Sequence, residues 1–489
     1  MLNRFIRFWG SGLALSGMLA AGALPGLAEE TDSFSTERTV GQMAGGMPDM
    51  LPKSEIEHPR IIVEADHAKE AGLRMLEGKH VLLVTDMELT EAVKNLPKAA
   101  DEAYPQFCAF FGVEPDPEWK TTVFLMKTNL PFLKANYLPD ILPPFQNGFS
   151  FNYDCWLYDQ PSDYYRQHLM IHEMVHGFSS TRMGNAGPSW FAEGLAELLG
   201  MHDFSAAPIQ LGFMPPNRQA VPYCGRIREI HEAIGRGDVR TLEQLTRPTS
   251  ADYASNAIYY WSWAFAWFLE NHPETHDVFH EMAASLAQDR SAKEFTADFL
   301  KRLEPKRAEI EKHWLMFAAS LDYDFCLKPM LFETAPGVTL AEKAAASSSG
   351  KSSSKSRVLQ KIRADHGWQT TGIHFRKGQK IRIRAKGRFE IQHSDGEFWP
   401  CEPNGVTVEY RNGQPLGVLQ AVFLTDAETL TPEIMNEQQA GTFYEPFAVG
   451  TSRTVTVPFD GTLLLQVNVP PRQLERSRGN LMVEISEKP

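Results

Sequence analysis

Cysteine is scarce: five residues in 489, Cys108, Cys155, Cys224, Cys326 and Cys401, with no CxxC pair among them. So few and so scattered, they exclude a disulfide-stapled scaffold, and the odd number leaves at least one thiol free. Positive charge is also in deficit. Lys and Arg number 48 against 61 Asp and Glu, a formal charge of -13, which argues against nucleic acid or an anionic bilayer as the dominant partner. Beyond the first 28 residues no apolar run approaches the roughly 20 residues a membrane-spanning helix needs, and no fixed-period repeat is present. What is there is ordinary for soluble globular chains: 43% hydrophobic and 22% charged. At roughly 100 to 200 residues per domain, the length predicts two to four domains.

Residues 1–28 read as a signal peptide, because Arg4 and Arg7 precede an apolar small-residue run that ends at Gly26-Leu27-Ala28. The expected location is therefore periplasmic or extracellular. Residues 29–57 are polar and Gly/Pro-punctuated without a sustained period, a flexible leader. From residue 60 to 160, runs such as His80–Thr85, Thr121–Met126 and Phe149–Tyr158 predict strands around a helix over Leu89–Phe111. Helical spacing then dominates as far as Leu321, with repeats in Tyr164–His176, Trp190–Leu199, Ile227–Ile234 and Ala257–Leu269. A Ser/Ala-rich stretch over 339–356 reads as a linker between a 58–338 domain and a 357–489 domain. In the latter, Gln379–Ile391, Thr454–Val457, Leu463–Val469 and Leu481–Ile485 are short strands between turns, so the fold class expected is α+β followed by an all-β sandwich.

The chemically informative segment is His172-Glu173-Met174-Val175-His176, in a helix that Ser162 or Asp163 would cap and Gly177 would end. Four-residue spacing places both imidazoles on one helix face, where they can bind one zinc ion. Glu173 then stands where a general base for a zinc-bound water belongs. Catalytic zinc usually takes a third protein ligand, and Arg182 at the position where an extended metzincin pattern wants His excludes that branch. Downstream, Pro188-Ser189-Trp190-Phe191-Ala192-Glu193-Gly194-Leu195-Ala196-Glu197 reads as a second helix with two carboxylates one turn apart.

HEMVH followed by WFAEGLAE resembles the gluzincin group of zinc metallopeptidases, over roughly residues 60 to 320. That resemblance implies a thermolysin-like domain, Zn2+ as cofactor, and a protein or peptide substrate. It makes Glu193 the third ligand beside His172 and His176, and Glu197 a carboxylate that orients a ligand histidine. Glu197, His202 and Asp203 stand as alternative ligands. Gluzincins often carry a later helix whose first Tyr faces the zinc. Here that is Tyr259, with Tyr260 next in line, and a phenol there would donate to the developing oxyanion. The strand over Phe149–Tyr158 would pair with an extended substrate, but it lacks the Gly-x-Met-Glu-Asn element of related aminopeptidases. His168, with Leu169 in the base position, falls beside the site or faces solvent. His272, His276 and His280 also recur every four residues, yet Pro273 starts a helix there and no following helix offers a third ligand, which reads against a second metal site.

Trp368–Ile373, Lys377–Ile383, Pro415–Leu419, Asp460–Leu463 and Gly479–Val483 together resemble the calcium-dependent galactophilic bacterial lectin family. The resemblance implies a jelly-roll-like sandwich and a glycan or cell-envelope contact, with Asn468, Glu475 and Asn480 as the surviving oxygen donors and three arginines crowding them. The expected function is a secreted zinc peptidase. The alternative is a non-catalytic envelope or carbohydrate-binding protein on a degenerate peptidase scaffold.

Overall fold

The computed structural model describes residues 60–140, 142–334, 337–347, 357–393, 396–425 and 446–488. The expected signal peptide and leader lie outside the described residues. Among those residues no helix is long and apolar enough to cross a membrane. The architecture is mixed: a small sheet, a helical region and a β-rich C-terminal region.

The first sheet holds β1 (Arg74–Glu77), β2 (Val81–Thr85), β3 (Thr121–Met126), β4 (Gly148–Phe151) and β5 (Asp154–Tyr158), in the order β1-β2-β3-β5-β4. β2, β3 and β5 run parallel, while β1 and β4 pair antiparallel at the two edges. All six residues of β3 are buried, as a central parallel strand covered on both faces requires. Its alternate side chains divide accordingly: Val123 and Leu125 join the main core, Phe124 and Met126 a second core with Phe132 and Trp156. Phe149–Tyr158, expected as one strand, is instead the β4–β5 hairpin. Asn152 takes the left-handed turn conformation (φ 54°) that Asn tolerates better than other side chains.

The HEMVH helix spans Asp163–Phe178, and Ser162 caps it by accepting from the Tyr165 N–H at 3.0 Å. Gly177 does not end it. The helix passes into a π-helical turn over Ser179–Met183 and stops at Gly184, φ 76°. What Gly177 provides is proximity, because a Cβ there would lie 2.8 Å from the Asn152 carbonyl oxygen. The β4–β5 turn thereby presses on the helix that carries the histidines. The WFAEG helix (Ser189–Gly200) packs between the HEMVH helix and an aromatic helix (Ala257–Asn271). Gly194 sets that approach, since a Cβ would meet the Ser262 carbonyl at 3.1 Å. Between Ala257 and Glu270, every residue of the aromatic helix is buried except Tyr259 and Glu270. Trp261, Trp263 and Trp267 anchor it, and truncating one such side chain costs about 3–5 kcal/mol.

The Ser/Ala-rich stretch departs from the flexible linker expected of it, because Leu340–Ser347 is a helix. Thr339 and Glu342 cap it reciprocally: Thr339 Oγ1 accepts from the Glu342 N–H at 3.3 Å, and the Glu342 carboxylate accepts from the Thr339 N–H at 2.8 Å. Residues 348–356 lie outside the described residues. Beyond them, one antiparallel sheet joins Arg357–Arg363, Lys380–Lys386, Phe389–Gln392, Phe398–Cys401, Ser452–Thr456 and Arg478–Glu487. A second joins Gln369–Phe375, Leu419–Leu424, Phe447–Ala448 and Gly461–Val467. Ile381, Ile383 and Ala385 point inward at period two. The single strand expected over Gln379–Ile391 breaks at Gly387, whose φ of 124° only glycine adopts readily. The β-rich region is tied to the helical one through main-chain bonds, Gly367 N–H to Pro329 at 2.7 Å and His374 N–H to Val338 at 2.9 Å.

Candidate active site

Helical spacing puts His172 above His176 on one face of the HEMVH helix, and the WFAEG helix brings Glu193 opposite. His172 Nε2 and His176 Nε2 are 3.2 Å apart, and Glu193 Oε2 lies 3.5 Å and 3.6 Å from them. Three donors on a tetrahedral ion with bonds of about 2.0–2.1 Å stand roughly 3.3–3.4 Å from one another. The triangle fits that ion within a few tenths of an ångström. The buried Glu193 Oε2 has no hydrogen-bond partner among the described residues, so the donor set is unspent. Burial works against the ionised Glu193, but the charge of His176 and the closeness of both imidazoles outweigh it and hold the carboxyl at about 2. His172 answers in kind: burial pulls its pKa down, the flanking carboxylates of Glu193 and Glu197 push it up more strongly, and it stands at about 10.

Glu173 points the other way, toward the edge strand β4. A Cβ on Gly148 would lie 2.4 Å from Glu173 Oε1, so glycine at that position leaves room for the carboxylate. Burial raises the Glu173 pKa, with His172 and His176 opposing, which suits a group that must accept a proton and keep it for a time.

Behind the triangle sits Glu197, 1% exposed. Its Oε1 is 3.4 Å from His172 Nδ1, an ion-pair separation on the ring nitrogen away from Glu193. Its Oε2 is 3.5 Å from His168 Nε2, which places His168, 1% exposed, beside the site and not in solvent. Arg226, at the start of the helix Arg226–Gly235, grips Glu197 with both ends of its fork, Nη2 to Oε1 at 2.6 Å and Nε to Oε2 at 2.7 Å. Sequence reasoning missed Arg226, which no local pattern connects to Glu197. Its charge decides a point of chemistry. His168, His172 and Glu197 also converge closely enough to hold an ion, but a guanidinium saturating that carboxylate disfavours a cation there. Of the alternative ligands, His202 pairs with Gln167 and the Gly200 carbonyl, and Asp203 accepts from Ser205.

Tyr259 presents its ring to the site, 6.4 Å between centroids from His172 and 5.7 Å from the Arg226 guanidinium carbon. The charge of Glu193 and burial both raise its pKa, so the phenol keeps its proton and remains a donor. Tyr260 is 4% exposed and packs near Trp261, away from the triangle.

In the C-terminal region the expected oxygen donors sit on different elements. Asn468 is fully buried and spends its amide on the scaffold, donating to the carbonyls of Arg411, Gln414 and Pro415. Glu475 is exposed at the end of the short helix Pro471–Leu474, and Asn480 lies within the strand Arg478–Glu487. Among the described residues, no cluster of His, Cys, Asp and Glu able to hold an ion lies in this region.

No protein-family model matches the chain, and no curated protein matches it. Among solved structures, one described as "EclA N-terminal domain; PllA-like lectin" aligns at 23% identity over 27% of this chain and 95% of that one, with a TM-score of 0.19.

Proposed function

We propose that the protein is a zinc-dependent peptidase of gluzincin type, with His172, His176 and Glu193 holding the ion and Glu173 as general base. The observation that carries the reading is the 3.2, 3.5 and 3.6 Å triangle of donors with a buried carboxylate one residue from its first corner. Zinc held by that triangle would supply Lewis acidity, lowering the pKa of a water and polarising the scissile carbonyl.

The chain's own groups do the rest. Glu173 takes a proton from the attacking water as its oxygen bonds to the carbonyl carbon. It then gives that proton to the amine nitrogen as the C–N bond breaks. Tyr259 donates its phenolic proton in a hydrogen bond to the carbonyl oxygen as negative charge builds there. Arg226 fixes Glu197, and Glu197 fixes the Nδ1 side of His172, so that Nε2 faces Glu193. Strand β4, at the sheet edge and against Glu173, offers main-chain groups to an extended peptide.

The test is cleavage of an unstructured protein such as casein, with and without a zinc chelator, by wild type and Glu173→Gln. Chelator-sensitive cleavage lost in the variant supports the reading. Cleavage unchanged by either treatment sinks it.

A further inference from the structure

Between Ala257 and Glu270 the aromatic helix has two residues that escape burial. Tyr259, at its start, faces the site above. Glu270, near its end, faces a different group. The helix finishes at Asn271, and His272 turns inward, 1% exposed, with Nε2 2.9 Å from His313 Nδ1. His272 therefore leaves the four-residue series that the sequence displays. Glu270 replaces it, arriving from the preceding helix where the sequence pattern looked for a ligand in a following one.

We propose that Glu270, His276 and His280 form a second divalent-metal site, for zinc or another first-row ion suited to two imidazoles and a carboxylate. One nitrogen from each ring and one Glu270 oxygen all lie within 4.8 Å of one another. The hydrogen bonds around the rings say which atoms are available. His280 Nδ1 lies 3.1 Å from the Phe110 carbonyl, which only accepts, so Nδ1 carries a proton. In the neutral ring Nε2 then holds a lone pair, and it stands 2.8 Å from Glu270 Oε2. Two acceptors at that distance share a proton, and a metal ion taking the proton's place would part them to about 3.3 Å.

His276 follows the same rule. Its Nδ1 lies 2.7 Å from the Glu270 main-chain carbonyl and 3.8 Å from Glu270 Oε1, and no hydrogen bond reaches its Nε2 among the described residues. A ring N–H anchored on a main-chain carbonyl is the usual way a protein fixes the tautomer of a metal-binding histidine. Here both rings are anchored so. His276 is about half exposed and the other two are partly exposed, so an ion can enter without unfolding. A bound ion would clamp the end of the aromatic helix to the helix His276–Ala284, itself bonded to the end of the helix Glu91–Phe111 through Phe110.

The experiment separates this site from the first. The full chain carrying His172→Ala with Glu193→Ala is stripped by chelator and titrated with Zn2+ by calorimetry, alongside thermal melting. One equivalent should bind, Tm should rise by several degrees, and adding His276→Ala or Glu270→Gln should weaken binding at least tenfold. His276 is exposed enough that its loss leaves the far-ultraviolet circular dichroism unchanged. A doubly substituted protein that binds no Zn2+ at 100 µM (about -5.5 kcal/mol) overturns the proposal, as does binding that His276→Ala and Glu270→Gln leave unaltered. Neither result bears on the peptidase reading, because two of its three ligands, His172 and Glu193, are absent from that protein.

Discussion

Two buried carboxylates in the helical region have opposite electrostatic fates. Glu197 is 1% exposed, and burial alone would drive it toward the protonated form, yet Arg226, His168 and His172 hold its pKa well below the ordinary range. Glu311, in the helix Arg307–Ser320, is 9% exposed and, among the described residues, accepts only the Leu242 N–H at 3.0 Å. Burial there outweighs that bond and the charge of Arg307, and the pKa rises to about 7. Depth is not what separates them; a guanidinium in contact is. The charge at Glu197 is maintained in the part of the fold where an ionised carboxylate has work to do on His172.

That contrast is broken most severely at the base. Glu173→Gln keeps the side chain's shape and removes its capacity to take a proton, so hydrolysis should fall by about 10²–10⁴-fold while zinc content, measured by elemental analysis, stays near wild type. Loss of zinc together with activity would show that Glu173 shapes the ion site and is not the base.

Removing the counter-ion comes next. Arg226→Met should destabilise the fold by about 3–5 kcal/mol, the cost of stranding a buried charge, read as a fall in the urea midpoint. Arg226→Met with Glu197→Leu should recover part of that stability while hydrolysis stays low, because His172 has lost its partner. If the single variant melts like wild type, Glu197 does not depend on Arg226. Tyr259→Phe should lower turnover by about 10²-fold, about 2.7 kcal/mol, with little change in KM, as expected for a donor used only in the transition state. A change confined to KM would place Tyr259 in substrate binding.

The sequence made visible whatever depends on local period. Two histidines four apart must share a helix face, and a carboxylate on a second amphipathic helix can face them, so His172, His176 and Glu193 were legible as candidates. The sheet followed from β-branched runs. Arg226 was hidden because it lies 29 residues beyond Glu197, and only tertiary packing joins them. The same limit explains Glu270: the eye follows His272-His276-His280, but the helix ends at Asn271 and the chain turns His272 into the core. Gly177 looked like a stop signal and was a contact surface. The helix Leu340–Ser347 was legible in Thr339-Leu340-Ala341-Glu342, a capping-box signature masked by the serines after it.

Glu311 sharpens the comparison with the smallest effect. Its folded pKa of about 7 lies above the ordinary 4.5, so the protonated form is the one the fold prefers. Its stabilising contribution is therefore complete below about pH 4.5 and is lost as pH rises through 7. Above that, the folded protein carries an ionised carboxylate in a poor solvent. Glu311→Gln retains an oxygen for the Leu242 N–H and cannot ionise. Relative to wild type it should be about 2–3 kcal/mol more stable at pH 8, with the difference shrinking toward zero at pH 4.5, as followed by urea unfolding across that range. Glu197 has the opposite sign: its pKa is depressed, so its contribution is present above about 4.5 and fades only as pH falls through its lowered folded value. A Glu311→Gln difference that did not grow between pH 5 and pH 8 would mean that water or Arg307 solvates this carboxylate, and that the two sites differ less than their contacts imply.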